Sequence, residues 1–148
     1  MEIHPRERTG MGATEDSKGL MWRITEEIWN NGRLELIDEL IAEDLVDHVE
    51  IAGLEGSGRA RYRANVEMMR AAFPDFRNPL DFVVAEDAFA VSYGRSTGTH
   101  RGDFFGIPPT GREIDVPTIG VLRFENGQAV ERWGMADNLA MMQQLGMA

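Results

Sequence analysis

Hydrophobic positions along this 148-residue chain follow two periods, and the change between them falls near Pro79. Before it, apolar residues recur every three or four positions. Leu20, Ile24 and Ile28, with Met21 beside them, predict an amphipathic helix from about Ser17 to Asn31. Asn31-Gly32 stops it, because glycine tolerates the left-handed conformation of a helix cap. Leu34, Ile37, Leu40 and Ile41 mark a second, short helix, and Asp44 to Ile51 reads as a short strand or irregular segment. After the glycine-rich turn from Gly53 to Gly58, Ser57 is a plausible N-cap for a third helix, with Tyr62, Val66, Met69 and Phe73 on one face and Pro74 at its end.

Beyond Pro79 the period is two. Leu80 to Val84 predicts one strand, Phe89 to Thr99 a longer one, and Arg112 to Phe124 another. Asn126-Gly127 favours a tight type I′ hairpin turn, with Gln128 to Asp137 as the return strand. Asn138 to Leu145 reads as a last helix, ended by Gly146. Helices first and strands second is the α+β order: an antiparallel sheet with one face needing cover, and three N-terminal helices to cover it. Such a sheet, strongly curved, would leave a cone with a pocket inside.

Composition narrows the function. The length fits one domain with a core of its own. A formal net charge of −10 argues against a nucleic-acid groove or an anionic membrane surface, since both need a basic face. The absence of cysteine removes disulfides, thiol nucleophiles and zinc–thiolate sites, and fits a cytoplasmic protein. No apolar run approaches the roughly 20 residues of a membrane span. Residues 1–17 read as an N-terminal arm and 18–148 as the domain; Met11 and Met21 are alternative starts.

Three side chains are candidates for chemistry. Asp137 ends the last strand and, four residues from Trp133, shares its face. A carboxylate beside an indole in an apolar cavity would be held protonated to higher pH by desolvation and could act as general acid or base. Its other reading is a cap for the Asn138 helix. His100 ends a strand whose same-parity residues, Ala90, Ser92, Gly94, Ser96 and Gly98, are small; they leave room for a ligand or for a covering helix. His100 could polarise a carbonyl or relay a proton, or simply satisfy a loop. His48 could point into the cone mouth, but neighbouring Asp47 points to the other side of an extended chain, so the two form no obvious dyad. The three histidines lack metal-ligand spacing, and no metal is expected. The loop from Gly98 to Gly111, with its Pro-Pro-Thr-Gly turn, is no phosphate loop, but it can form the rim of a pocket. The nine methionines fill core gaps or line an adaptable pocket.

Taken together, Ile28-Trp29-Asn30 with Gly32, Asp47-His48, Ala72-Phe73-Pro74-Asp75, Gly98-Thr99-His100 with Gly106-Ile107-Pro108-Pro109-Thr110-Gly111, and Glu131, Trp133 and Asp137 before Gln144-Leu145-Gly146 carry a resemblance. From about Lys18 to Gly146 the chain resembles the SnoaL-like polyketide cyclase family, within the NTF2-like superfamily. The resemblance implies an α+β cone and a dimer packed sheet to sheet. It also implies intramolecular aldol cyclisation of a polyketide-like carbonyl compound without metal or organic cofactor. Asp137 matches the family's acid–base aspartate and His100 a histidine near it; Trp133, His48, Trp29, Phe73 and Phe104 are the candidate substrate-binding residues. A non-catalytic binder of a small apolar ligand is the alternative on the same fold. An epoxide hydrolase would need an aspartate–arginine–aspartate relay, which spacing does not place.

Overall fold

A computed structural model describes residues 11–147. The first helix, α1 (Met11–Arg23), begins earlier than the periodicity predicts; positions 1–10 of the expected arm lie outside the described residues. Ser17 Oγ donates to the Asp87 carbonyl at 2.6 Å and ties α1 to the sheet. The helix continues as a wider π turn over Ile24–Asn30, which ends with Gly32 at φ 71°. After a single turn at Leu34–Leu36 come α2 (Ile37–Leu40) and the first strand, β1 (Ile41–Asp47). Then follow α3 (Gly58–Ala72), β2 (Leu80–Glu86), β3 (Phe89–Thr99), β4 (Glu113–Glu125), β5 (Gln128–Ala136) and α4 (Asn138–Gln144). Ser57 stands at the start of α3 as expected, but its side chain makes no capping bond.

The strands form one sheet in the order β1-β5-β4-β3-β2. β2 to β5 are antiparallel neighbours, as the hairpin signals predict, and Asn126 (φ 51°) and Gly127 (φ 77°) are both left-handed in the β4–β5 turn. β1 departs from the predicted pattern, for it lies parallel to β5 and makes the sheet mixed. Its parallel pairing follows from topology: the chain arrives from α2 along the edge that β5 leaves open, a crossover that no local turn residue encodes.

Register assigns the two faces. Ala90, Ser92, Gly94, Ser96 and Gly98 of β3 face inward with Leu122, Gly120, Thr118, Val116 and Ile114 of β4; Arg132, Gly134 and Ala136 of β5 continue the inner rows. α1 lies against β2 and β3, α3 against β1, and α4 against β4. A larger core gathers Met21, Ile24, Ile28, Ile37, Leu40, Ile41, Tyr62 and Val66 with Val83, Leu122 and Phe124. A second, smaller one gathers Phe73, Phe76, Phe104, Ile114, Val116, Met141 and Leu145. Among the described residues no helix covers the outer face, and Val46, Phe82, Val84, Phe89, Ile119 and Met135 remain exposed there.

Candidate functional site

Between the helices and the inner face lies a cavity of about 660 Å³, within the size range of small-molecule sites. Its floor exists because side chains are missing. Gly120 sits between Ser92 and Gly134 in register, and Thr118 between Gly94 and Ala136. Ser92, Ser96, Thr118, Gly120, Gly134 and Ala136 all border the space. The small residues of β3 divide the work. Ser92 and Ser96 face the cavity, whereas a Cβ on Gly98 would lie 2.9 Å from Phe73 Cβ, so that glycine admits the end of α3. Trp133 and Met135 also border the cavity, yet register turns their side chains outward; what they present there is main chain laid bare by Gly120 and Gly134.

The opposite wall comes from two helices. The wide turn after α1 supplies Ile24, Thr25 and Trp29, and α3 supplies Tyr62, Asn65, Met68 and Met69. Tyr62 and Asn65 stand three apart and therefore on one helix face. Trp29 Nε1 donates to Tyr62 Oη at 2.8 Å, which leaves the tyrosine proton for another acceptor. Burial pushes the Tyr62 phenol above its ordinary range, so it stays a donor at neutral pH. The Arg132 guanidinium lies 5.0 Å from the Tyr62 ring centroid and 5.7 Å from that of Trp29, within cation–π range. Its Nη1 donates to Asp47 Oδ2 at 3.1 Å, and Arg61 Nη1 stands 3.2 Å from the same oxygen. Asp47 is buried, with Oδ1 held by the Val49 N–H. This arginine–aspartate–arginine cluster has the opposite composition to the relay an epoxide hydrolase would need. Asn65 is only 3% exposed and its amide has no hydrogen-bond partner among the described residues. Asn78 Oδ1, also bordering the cavity, is likewise unpaired.

The residues singled out from sequence fall in different places. Trp29 and Phe104 line the cavity, and Phe105, held at φ 52°, joins Phe104 as its rim, so the Gly98–Gly111 loop does edge a pocket. Phe73 and His100 lie behind that rim, fully buried, with ring centroids 5.5 Å apart and neither lining the cavity. The Thr110 N–H donates to His100 Nδ1 at 3.2 Å, so the neutral ring carries its proton on Nε2, which is buried without a partner among the described residues. Asp137 is exposed, and its Oδ1 accepts from the Ala140 N–H at 2.9 Å as the cap of α4. Its neighbours Ala136 and Asn138 line the cavity, but the Asp137 carboxylate does not. Register turns Trp133 to the outer face, whereas Asp137 lies past the end of β5 as the cap of α4. The structure therefore does not bring Asp137 and His100 together.

His48 and Asp47 diverge, as expected for neighbours on extended chain. His48 Nε2 lies 2.6 Å from Glu131 Oε2, and its ring stacks on Trp133 at 5.0 Å, both on the outer side at the cavity's edge. The His48 hydrogen bond, with Arg123 behind it, holds the Glu131 carboxyl below the usual carboxylate range. Among the described residues no group of three histidine, aspartate or glutamate side chains is placed to hold a metal.

Sequence reading passed over Arg132, Asn65 and the polar role of Tyr62. The i, i+3 spacing of Tyr62 and Asn65 was available as a signal, since an asparagine on the apolar face of a helix has to find a partner. Arg132 gave no signal, because only the parallel pairing of β1 brings Asp47 opposite it.

The sequence profile of the SnoaL-like polyketide cyclases matches residues 19–145. Among solved structures, IdmH of Streptomyces antibioticus, described as a candidate polyketide cyclase, is 29% identical, with 88% of this chain and 98% of that one covered at a TM-score of 0.75. A candidate polyketide cyclase of Acidithiobacillus ferrooxidans is 30% identical over 90% of this chain and 96% of that one, at 0.74. A SnoaL-like protein from Jannaschia is 22% identical and speaks for the fold alone, covering 100% of this chain and 99% of its own at 0.80. No curated protein matches.

Proposed function

This chain belongs to the SnoaL-like polyketide cyclase family, and on that footing we propose that it is a cofactor-independent acid–base enzyme of the polyketide cyclase type. It would close a ring in a hydrophobic carbonyl compound by intramolecular aldol chemistry. The observation that carries this reading is the cavity itself, lined by apolar Trp29, Met68, Met69 and Phe104, with hydrogen-bond donors at Tyr62 and Asn65. A base removes a proton from carbon between carbonyls; the enolate carbon attacks a second carbonyl, and the new alkoxide oxygen takes a proton. Tyr62 and Asn65 serve the oxyanion, where preorganised donors contribute most. Asp137 is the carboxylate assigned to proton transfer. It stands between two cavity-lining residues, and leaving its cap to face inward would cost about 1 kcal/mol.

Polyketone esters incubated with the protein should yield a cyclised isomer of unchanged mass by liquid chromatography and mass spectrometry. Tyr62→Phe should lower that turnover about 100-fold, the usual loss for one oxyanion donor. Polyketones recovered unchanged would refute the enzymatic reading. The second reading, a carrier of a small apolar ligand, draws on the positions of Asp137 and His100, one capped in solvent and the other sealed behind Phe73. Recovery of a tightly bound compound chemically intact would favour it.

The protein also acts as a homodimer in this proposal, packed through the outer sheet face. Met135, 82% exposed beside Ile119 on that face, supports it. Light scattering at micromolar concentration should give twice the chain mass, and Met135→Glu should halve it; a wild-type monomer would refute the dimer.

A further inference from the structure

The charges beside the cavity at Arg132 do not cancel. Arg61 and Arg132 share one carboxylate, Asp47, so the cluster holds one positive charge in excess. Asp47 is engaged by both, since Oδ1 takes the Val49 N–H and Oδ2 faces both guanidinium groups. Arg61 turns its Nη2 to the Val49 carbonyl at 2.9 Å. Arg132 differs. It borders the cavity, its side chain is 16% exposed, and only Nη1 is engaged, so Nε and Nη2 keep donors without a partner among the described residues. A buried donor without a partner is costly, and one in a cavity wall is satisfied when a ligand arrives.

We propose that this cavity selects a flat, apolar molecule bearing one carboxylate, which the free edge of Arg132 receives with Asn65 beside it. The argument is geometric and chemical. A guanidinium edge presents two parallel N–H groups that match a carboxylate's two oxygens. Trp29 and Tyr62 hold the guanidinium within cation–π range. Asn65, buried and unpaired, adds a neutral donor one helical turn from Tyr62. The remaining carboxylate bordering the cavity, Glu50, is exposed at its mouth, where water screens it. The chain's net charge of −10 repels anions at long range, which makes a local excess of positive charge the more selective. This inference rests on the cavity being a ligand site, as proposed above, and is independent of whether the ligand is transformed.

The test uses two probes of equal shape and different charge, 2-naphthoate and naphthalene-2-carboxamide, titrated calorimetrically into the intact protein at pH 7. The naphthoate should bind at least about tenfold tighter, the effect of a charge-assisted hydrogen bond. Arg132→Gln should bring the ratio to about one, and Arg132→Lys should keep part of the preference. Should Arg132→Gln fail to fold, the wild-type ratio and the Lys variant decide alone. Carboxamide bound as tightly as naphthoate overturns the anion preference and leaves the ligand site standing. Failure of both probes to bind overturns the preference and the ligand site together. A preference that survives Arg132→Gln overturns the assignment to Arg132.

Discussion

Two aromatic pockets lie side by side under the helices, and only one is open. Around His100 the space is filled: Phe73, Phe104, Ile114 and Val116 are all buried, and the Thr110 loop holds the ring at Nδ1 while Nε2 stays without a partner among the described residues. Around Tyr62 and Arg132 the same kinds of side chain enclose about 660 Å³. The difference comes from the sheet. Opposite Phe73 the inner row carries Ile114 across from Gly98, and a phenyl ring closes on the gap. Opposite Tyr62 the floor runs through Ser92, Gly120 and Gly134, and nothing as large as a ring descends onto it. A polar group in the filled pocket organises a loop. In the open one, polar groups keep hydrogen-bonding capacity beside empty space, which the His100 Nε2 lacks, and recognition follows from that.

Truncating one large side chain on each side would break this contrast most strongly. Phe73 is fully buried, so Phe73→Ala should cost about 3–5 kcal/mol, a fall in Tm of roughly 10 °C or more. Met69 lines open space and is partly exposed, so Met69→Ala should cost less than the roughly 2 kcal/mol that begins the range for a buried methionine. Thermal melts of the two variants, side by side, decide. Equal losses would mean that the cavity is as tightly packed as the filled pocket.

What the sequence revealed divides along the same line. The limits of β2 to β5, the Asn126-Gly127 turn and the amphipathic face of α3 were legible because they are local, since period, cap and turn chemistry act within a few residues. By contrast, β1 runs over Ile41–Asp47 and not from Asp44 to Ile51 as its pattern suggests. The rim at Phe104 was legible for the same reason. The interior of the site was not. Alternation has no sign, so it could not say which face Trp133 takes; the inner face is set by where α1 and α3 settle, and Asp137 lies past the strand's end as the cap of α4. The stripe of small residues ending at His100 likewise had two meanings, and both hold, one at Ser92 and Ser96, the other at Gly98. Arg132 became a site residue only through its partners Asp47, Trp29 and Tyr62, 85, 103 and 70 positions away in the chain.

A smaller effect sharpens the contrast through pH. The filled pocket is latched from outside by Asp75, whose Oδ1 accepts from the Thr99 N–H at 2.7 Å and Oδ2 from the Thr99 hydroxyl at 2.8 Å. The Thr99 backbone bond, chiefly, holds the Asp75 carboxyl below its ordinary range. A depressed folded-state value stabilises the fold above the unfolded value of about 3.9, and that contribution fades as pH falls below it. Asp75→Asn should therefore cost about 1 kcal/mol at pH 7, trimmed by the residue's exposure, and less as the pH falls below about 4. Denaturant melts at pH 7 and pH 3 measure the gap; a gap that stays constant would remove the latch from this account.

The smallest effect concerns Asp137, where stability and activity should separate. Its carboxylate caps α4 through a single bond to the Ala140 N–H, in solvent. Asparagine caps a helix about as well as aspartate, so Asp137→Asn should alter stability by only a few tenths of a kcal/mol, whereas Asp137→Ala should cost about 1 kcal/mol. A cap that does nothing else predicts turnover following stability: nearly intact in the Asn variant, reduced in the Ala variant only as far as α4 loosens. A proton-transfer role predicts the opposite order, with turnover lost in both, because the amide cannot carry the proton. Melting curves and initial rates on the same two variants distinguish these outcomes. The Asn variant carries the weight of the comparison: the fold barely registers the substitution, so a loss of rate there belongs to the chemistry.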